Sequence, residues 1–282
     1  VHSIYVLNKK KVLIGRLSLK DLITSPSKSK IKEIYIPKVD FVNVNDSADE
    51  VAKLMSKYDL EAIPVVNDKT ELLGRITIDD IVDFIKDEAE EDYLLAAGIS
   101  NDVEADDSIL ELTKARLPWL ILGLFGGLGS VFILENFESI MATKELRALF
   151  FYTPLIAAMA GNVGVQSSAI VVQGLANDQI KGSLISRLIK EISLTLLNGI
   201  ILSLIIIVFG LLINQRLDMS ITISVSMILV IIVAALIGTS VPIILEKFGI
   251  DPAIATGPFI TTGNDVIGIL LFFFTAKIIL GF

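Results

Sequence analysis

Cysteine is absent from the sequence and histidine occurs once. The first absence excludes a disulfide scaffold, and the two together exclude zinc, copper or haem sites built on thiolate and imidazole ligands. Any divalent metal must be held by oxygen. The same scarcity removes conventional catalytic triads, and no glycine-rich phosphate loop is present, so no enzyme is expected. Basic residues are outnumbered, 24 Lys/Arg against 32 Asp/Glu, and no nucleic-acid partner is expected. Charge is also nearly absent from long stretches. Residues 1–116 carry 16 Lys/Arg and 23 Asp/Glu, a net of −7, whereas residues 117–282 carry 8 and 9. A single soluble domain and a disordered chain are both excluded: one part belongs in water and the other in a bilayer.

Five stretches are long and apolar enough to cross about 30 Å of hydrocarbon as helices. They are Pro118 to Leu134, Ala148 to Asn177, Ile192 to Gln215, Met219 to Leu245 and Pro252 to Phe282, the last holding only Asp265 and Lys277 as charges. An odd number of spans puts the termini on opposite sides. Lys114, Arg116, Lys181, Arg187, Lys190 and Lys247 fall on the side of the amino-terminal domain, against Lys144, Arg147, Arg216 and Lys277 opposite, so the amino-terminal domain is expected in the cytoplasm.

Within the spans, Asp265 stands in Thr261-Thr262-Gly263-Asn264-Asp265. A carboxylate at depth costs several kcal/mol unless it meets water, a cation or a partner. The Gly-, Pro- and Thr-rich stretch Ala253 to Gly263 before it reads as a helix loosened enough to turn carbonyls toward an ion. In the second span Asn162, Gln166 and Gln173 share one helical face within about 40°, which suits either interhelical hydrogen bonding or a pore lining. Gly123 and Gly127 read as a helix-packing pair.

Ahead of the membrane the chain repeats itself at an offset of 59. Ile4 to Leu22, IYVLNKKKVLIGRLSLKDL, aligns without a gap on Ile63 to Ile81, IPVVNDKTELLGRITIDDI. Each copy reads as strand, turn, strand and helix, and Ser47 to Tyr58 adds a capped helix before the second. Between Asp79 and Asp107 lie twelve acids opposed only by Lys86. Asp80, Asp83, Asp87 and Glu91 would share a helix face, with Glu88 and Asp92 beside it. Such a run is a solvated surface or a seat for hard cations, which take carboxylate oxygens; it does not match an EF-hand loop.

The repeat resembles the tandem cystathionine-beta-synthase (CBS) module, covering the second repeat from about residue 35 to 86 and the latter half of the first. We therefore expect an amino-terminal piece to precede Val1. CBS pairs often bind adenine nucleotides such as ATP, and Gly74-Arg75-Ile76-Thr77-Ile78-Asp79-Asp80 is similar to their ribose-contacting pattern; Thr77 and Asp80 equally suit a strand end and a helix cap.

Further on, Pro154 to Gln166, PLIAAMAGNVGVQ, together with Asp251-Pro252-Ala253 and Gly263-Asn264-Asp265-Val266-Ile267-Gly268, resembles the MgtE family of magnesium channels and transporters. This resemblance implies an α/β CBS module with a complete second and a partial first repeat, followed by an all-α membrane domain of five transmembrane helices. The expected boundaries are 1–86 for the module, 87–116 for an acidic connecting helix, and 117–282 for the pore. It also implies a homodimer embedded in lipid in the inner or plasma membrane. Asp265 matches the pore aspartate for hydrated Mg²⁺, with Asn162, Gln166, Thr261 and Asn264 lining the pathway. Asp251 matches the acid at the cytoplasmic mouth, Asp80, Asp83, Glu88, Glu91 and Asp92 those of the plug helix, and Asp49 and Asp59 sensor acids of the CBS repeat. Val165 stands where some members carry a polar residue. The alternative is a membrane-anchored CBS regulator that senses nucleotide or ions without conducting.

Overall fold

A computed structural model describes residues 3–100, 103–142, 146–177 and 183–281; Asp102, Lys144 and Lys181 lie outside them. The chain forms two compact units, Val1–Glu90 and Glu91–Phe282.

The hairpins of the first unit follow the repeat residue for residue, while the third strand of each sheet does not. Strands β1 (Ser3–Leu7) and β2 (Leu13–Ser18) pair antiparallel, with β3 (Ile36–Pro37) added to β2. Shifted by 59, β5 (Ala62–Val66) and β6 (Leu72–Thr77) pair in the same register, with β4 (Val42–Asn43) parallel to β5. The short helix α1 (Leu19–Thr24) belongs to the first copy, α2 (Ile31–Ile34) follows it, and α3 (Ala48–Lys57), capped by Ser47, belongs to the second.

The matched residues explain themselves locally. Asn8 Oδ1 accepts from the amides of Lys10 and Val12, and Asn67 Oδ1 accepts from those of Lys69 and Glu71, closing the two hairpin turns identically. Lys11 and Thr70, also one repeat apart, both take positive φ. The tips then pair with each other: the Leu13 N–H donates to the Thr70 carbonyl and the Leu72 N–H to the Lys11 carbonyl, a reciprocal bridge about a local two-fold. Under the second sheet, Val42, Val51, Met55, Ile63 and Ile81 form the core.

Helix α4 (Ile78–Ala96) leaves this sheet and carries the acidic face as one continuous helix. It ends at Gly98, in the left-handed region. Among the described residues of the second unit, five helices are long and apolar enough to span a membrane: α5 (Ile109–Asn136), α6 (Ala148–Ala176), α7 (Leu184–Leu212), α8 (Leu217–Lys247) and α9 (Gly257–Leu280), the last preceded by a 3₁₀ turn at Pro252–Ala255. Helices α6, α8 and α9 pack mutually, α7 lies on α8, and α5 on α9. Their shared core includes Leu149, Ile156, Ile231, Phe272 and Phe273.

Three expectations need correction. Helices α5 and α7 begin earlier than the hydropathy suggested, at Ile109 and Leu184, because a helix continues through charged interfacial residues until a cap stops it; Ser108 and Ser183 do so. The loosened stretch is confined to residues 252–256, and Thr261 to Gly263 are regular α-helix. Gly123 and Gly127 have open space where a Cβ would stand, while Gly126 and Gly129 meet α9 at Thr262 and Val266. The packing face of α5 is thus rotated away from the expected pair.

Candidate functional site

Glycines on α6 bring a polar face of α9 against its backbone. A Cβ on Gly161 would lie 3.1 Å from Asp265 Oδ1 and 3.0 Å from Thr261 Cγ2, and one on Gly164 would overlap the Asn264 amide. On another side of Gly164, a Cβ on Gly238 of α8 would overlap the Gly164 carbonyl. Small residues here let three backbones approach closely, which is how membrane helices associate when water exclusion supplies no drive. Asp265 Oδ1 and both polar atoms of Asn264 are buried without a hydrogen-bond partner among the described residues. The Thr261 hydroxyl is satisfied by the Gly257 carbonyl at 2.9 Å.

These residues divide into two groups. Asn264 is 1% exposed and packs inside the chain. Asn162, Gln166 and Gln173 are instead exposed along the outer surface of α6, so of the two readings of this stripe, interhelical bonding within the chain is not the one adopted. Asp265 and Thr261 lie between, partly exposed.

A second carboxylate within the spans went unnoticed in the sequence because the third span was expected to start after it. Glu191 sits two turns into α7, and its Oε1 accepts the Ser167 hydroxyl of α6 at 2.5 Å. The adjacent Ser168 hydroxyl donates to the Ala255 carbonyl at 2.6 Å. Neighbouring serines therefore tie α6 both to α7 and to the turn before α9. The serine pair next to the signature glutamine was the available signal.

Asp251 is exposed and caps the 3₁₀ turn, its Oδ1 accepting the Ala253 N–H at 2.8 Å. From there the chain meets the end of α4. A Cβ on Gly257 would overlap the Ala96 carbonyl, and one on Gly98 would lie 2.5 Å from Pro258 Cγ. Each glycine thus leaves room for the other segment.

The sensor candidates are exposed side chains of the first unit and of α4. Asp49 is in the first turn of α3 and Asp59 follows that helix at positive φ. Asp83, Glu88 and Glu91 are exposed on α4, and Asp92 is partly covered. Lys86 pairs with Glu90 at 3.4 Å. Among the described residues, no three acids or histidines are gathered as a metal cage.

A cavity of about 650 Å³ opens in the first unit, lined by Tyr5, Arg16, Asp59, Arg75 and Thr77 among others. Burial raises the Tyr5 phenol above its ordinary value, against the opposing pull of Arg75 and Arg16. Asp80 does not line this cavity. Its Oδ2 accepts from the Thr77 N–H at 2.8 Å and from the Thr77 hydroxyl at 2.7 Å, the capping geometry, and these bonds hold its carboxyl below the usual carboxylate range. Of the two residues suggested for ribose, Thr77 alone faces the cavity.

A module with CBS-like repeats, continued by a long helix into five apolar helices long enough to cross a membrane, one of them holding a half-buried carboxylate, defines an integral membrane protein. Residues 153–275 match the family model MgtE, divalent cation transporter, and residues 31–87 match the CBS domain model. The chain is 37% identical over 274 residues to the magnesium transporter MgtE of Bacillus subtilis, covering 97% of this chain and 60% of that one. It is 33% identical over 283 residues to the magnesium transporter MgtE of Thermus thermophilus, covering 99% and 62%. A solved cytosolic domain of the Mg²⁺ channel MgtE in complex with ATP is 40% identical over 30% of this chain and 34% of that one, with a TM-score of 0.29. Over nearly its whole length the chain is thus similar to MgtE-family magnesium transporters. It spans about 60% of the length of the curated relatives it matches.

Proposed function

We propose that the chain forms the regulatory and pore-bearing part of a homodimeric Mg²⁺ channel of the inner or plasma membrane, with its CBS module in the cytoplasm. The organisation proposed is a CBS module at 1–86, a plug region at 87–116 and a pore domain at 117–282. The observation that carries the reading is Asp265: a carboxylate in a membrane helix, set against Gly161, with one oxygen buried and unpartnered. An anion so placed calls for a cation. The exposed amides of Asn162 and Gln166 favour a two-fold partner across that face, because amides facing lipid are costly and amides facing a hydrated ion are not. Mg²⁺ holds its water tightly, so a wide site with few carboxylates selects it through its hydration shell.

The acids of α4, with Asp49, Asp59 and Asp251, act as the gate. Internal Mg²⁺ screens their mutual repulsion and favours the closed state; its loss releases the plug. An adenine nucleotide such as ATP is proposed for the 650 Å³ cavity, with Thr77 toward the ribose and Arg16 and Arg75 supplying positive charge.

The pore is tested by Mg²⁺ uptake into proteoliposomes. Asp265→Ala should abolish it, and uptake equal to that of the unaltered chain would instead favour a non-conducting CBS regulator. Neutralising Glu88, Glu91 and Asp92 together should weaken inhibition by internal Mg²⁺, and unchanged inhibition would refute the gate.

A further inference from the structure

Where α5 enters its apolar run, a groove of about 570 Å³ is walled by Ile99, Arg116, Trp119, Leu120, Gly123 and Pro258, with Gly98 at its edge. Its walls are almost entirely apolar, yet one of them carries a guanidinium. Arg116 is exposed and makes no ion pair among the described residues. The Trp119 indole N–H is buried without an acceptor among them. Arg116 is also the last charge before the uncharged stretch 117–134, so the groove sits at the boundary between headgroups and hydrocarbon. Leu120 is 66% exposed, which leaves the groove open sideways to the bilayer.

We propose that this groove binds an anionic phospholipid, its phosphate on Arg116 and an acyl chain along Trp119, Leu120 and Gly123. A guanidinium forks onto phosphate oxygens, and the indole ring beside it offers an apolar wall to the chain below. A soluble phosphate compound would gain nothing from the apolar floor, whereas a zwitterionic lipid already carries the counter-charge that Arg116 supplies. The occupant's position gives it a role. Gly98 and Pro258, which form the joint between the end of α4 and the start of α9, are also part of the groove, so a bound lipid wedges the two segments at their meeting point. The binding site stands whichever ion the protein conducts.

Trp119 is the sole tryptophan in the chain, so its fluorescence reports on this groove alone. The full chain is placed in phosphatidylcholine nanodiscs doped with brominated phosphatidylglycerol or brominated phosphatidylcholine, and quenching is titrated. The expected result is a preference of about fivefold for the anionic lipid, the factor one basic residue contributes at an anionic surface. Arg116→Gln should remove the preference. Gly123→Leu, at a position with open space for a side chain, should fill the groove and reduce quenching by both lipids while leaving Arg116 and the fold in place. Equal quenching by both lipids in the unaltered chain overturns the proposal, as does a preference that survives both substitutions. A saturable fluorescence change with inorganic phosphate in detergent, matching that of the lipid, would assign the site to a soluble anion and overturn the lipid.

Discussion

Replacing Gly257 by alanine tests whether the end of α4 is held at the head of α9. Two costs arise. Gly257 has φ +54°, and a residue with a Cβ loses about 1–2 kcal/mol there. The new Cβ would also overlap the Ala96 carbonyl oxygen and stand 3.0 Å from the Ala96 carbonyl carbon. Both atoms are backbone at the last turn of α4, so no side chain can swing away and the two segments must separate, an overpacking cost of about 1–3 kcal/mol. Gly249 supplies the control: its φ is +69°, but nothing lies within 4 Å of its missing Cβ, so Gly249→Ala bears only the conformational cost. The difference between the variants isolates the contact and amounts to an opening equilibrium raised about 5- to 150-fold. Hydrogen exchange reads it directly at Ala97, Gly98 and Ile99, whose amides donate back to Tyr93, Leu95 and Leu94. Protection there should fall in Gly257→Ala and hold in Gly249→Ala. Equal protection in both would refute the joint, and with it the route by which α4 acts on α9.

Thr70, β-branched and at φ +57°, is strained at its hairpin tip, so Thr70→Gly should raise the thermal stability of the chain by about 1 kcal/mol in a melting experiment. Ser167→Ala leaves the Glu191 carboxylate without its donor inside the bundle and should destabilise the membrane unit by about 1–3 kcal/mol in denaturant titration, whereas Glu191→Gln keeps an acceptor and should cost less. Because the Thr77 bonds lower the Asp80 pKa, their stabilisation is present above the ordinary carboxylate value of 3.8 and lost as pH falls through the lower folded value. Exchange protection of the Thr77 amide should accordingly hold from neutral pH to about that value and collapse only below it.

The soluble repeat was legible because its determinants are local. An offset of 59 residues carries the Asn8 and Asn67 turn closures, both hairpin registers and the Thr77–Asp80 cap, each made within a few residues of chain. Asp265 was legible because a carboxylate among apolar residues has few inexpensive explanations. What escaped is tertiary. Gly126 rather than Gly123 faces α9, and that depends on the rotation of α5 about its axis, which a uniformly apolar helix does not record. Glu191 was lost to an end-of-span estimate, since hydropathy fades at the interface while the hydrogen-bonded helix continues. Asn264 was grouped with the pathway by its neighbour Asp265, yet successive residues on a helix point about 100° apart, and it turns inward onto Gly164.

The reciprocal bridge between the two hairpin tips bears on what the module tolerates. At each tip the strand edge would otherwise offer open N–H and carbonyl groups, the usual template for unwanted pairing. Here Leu13 and Thr70, and Leu72 and Lys11, consume those groups on one another. The two repeats therefore shield each other's edges. A chain cut between them, in the stretch 38–41, would yield halves whose exposed tips match their own kind, and such halves should be recovered as dimers or aggregates.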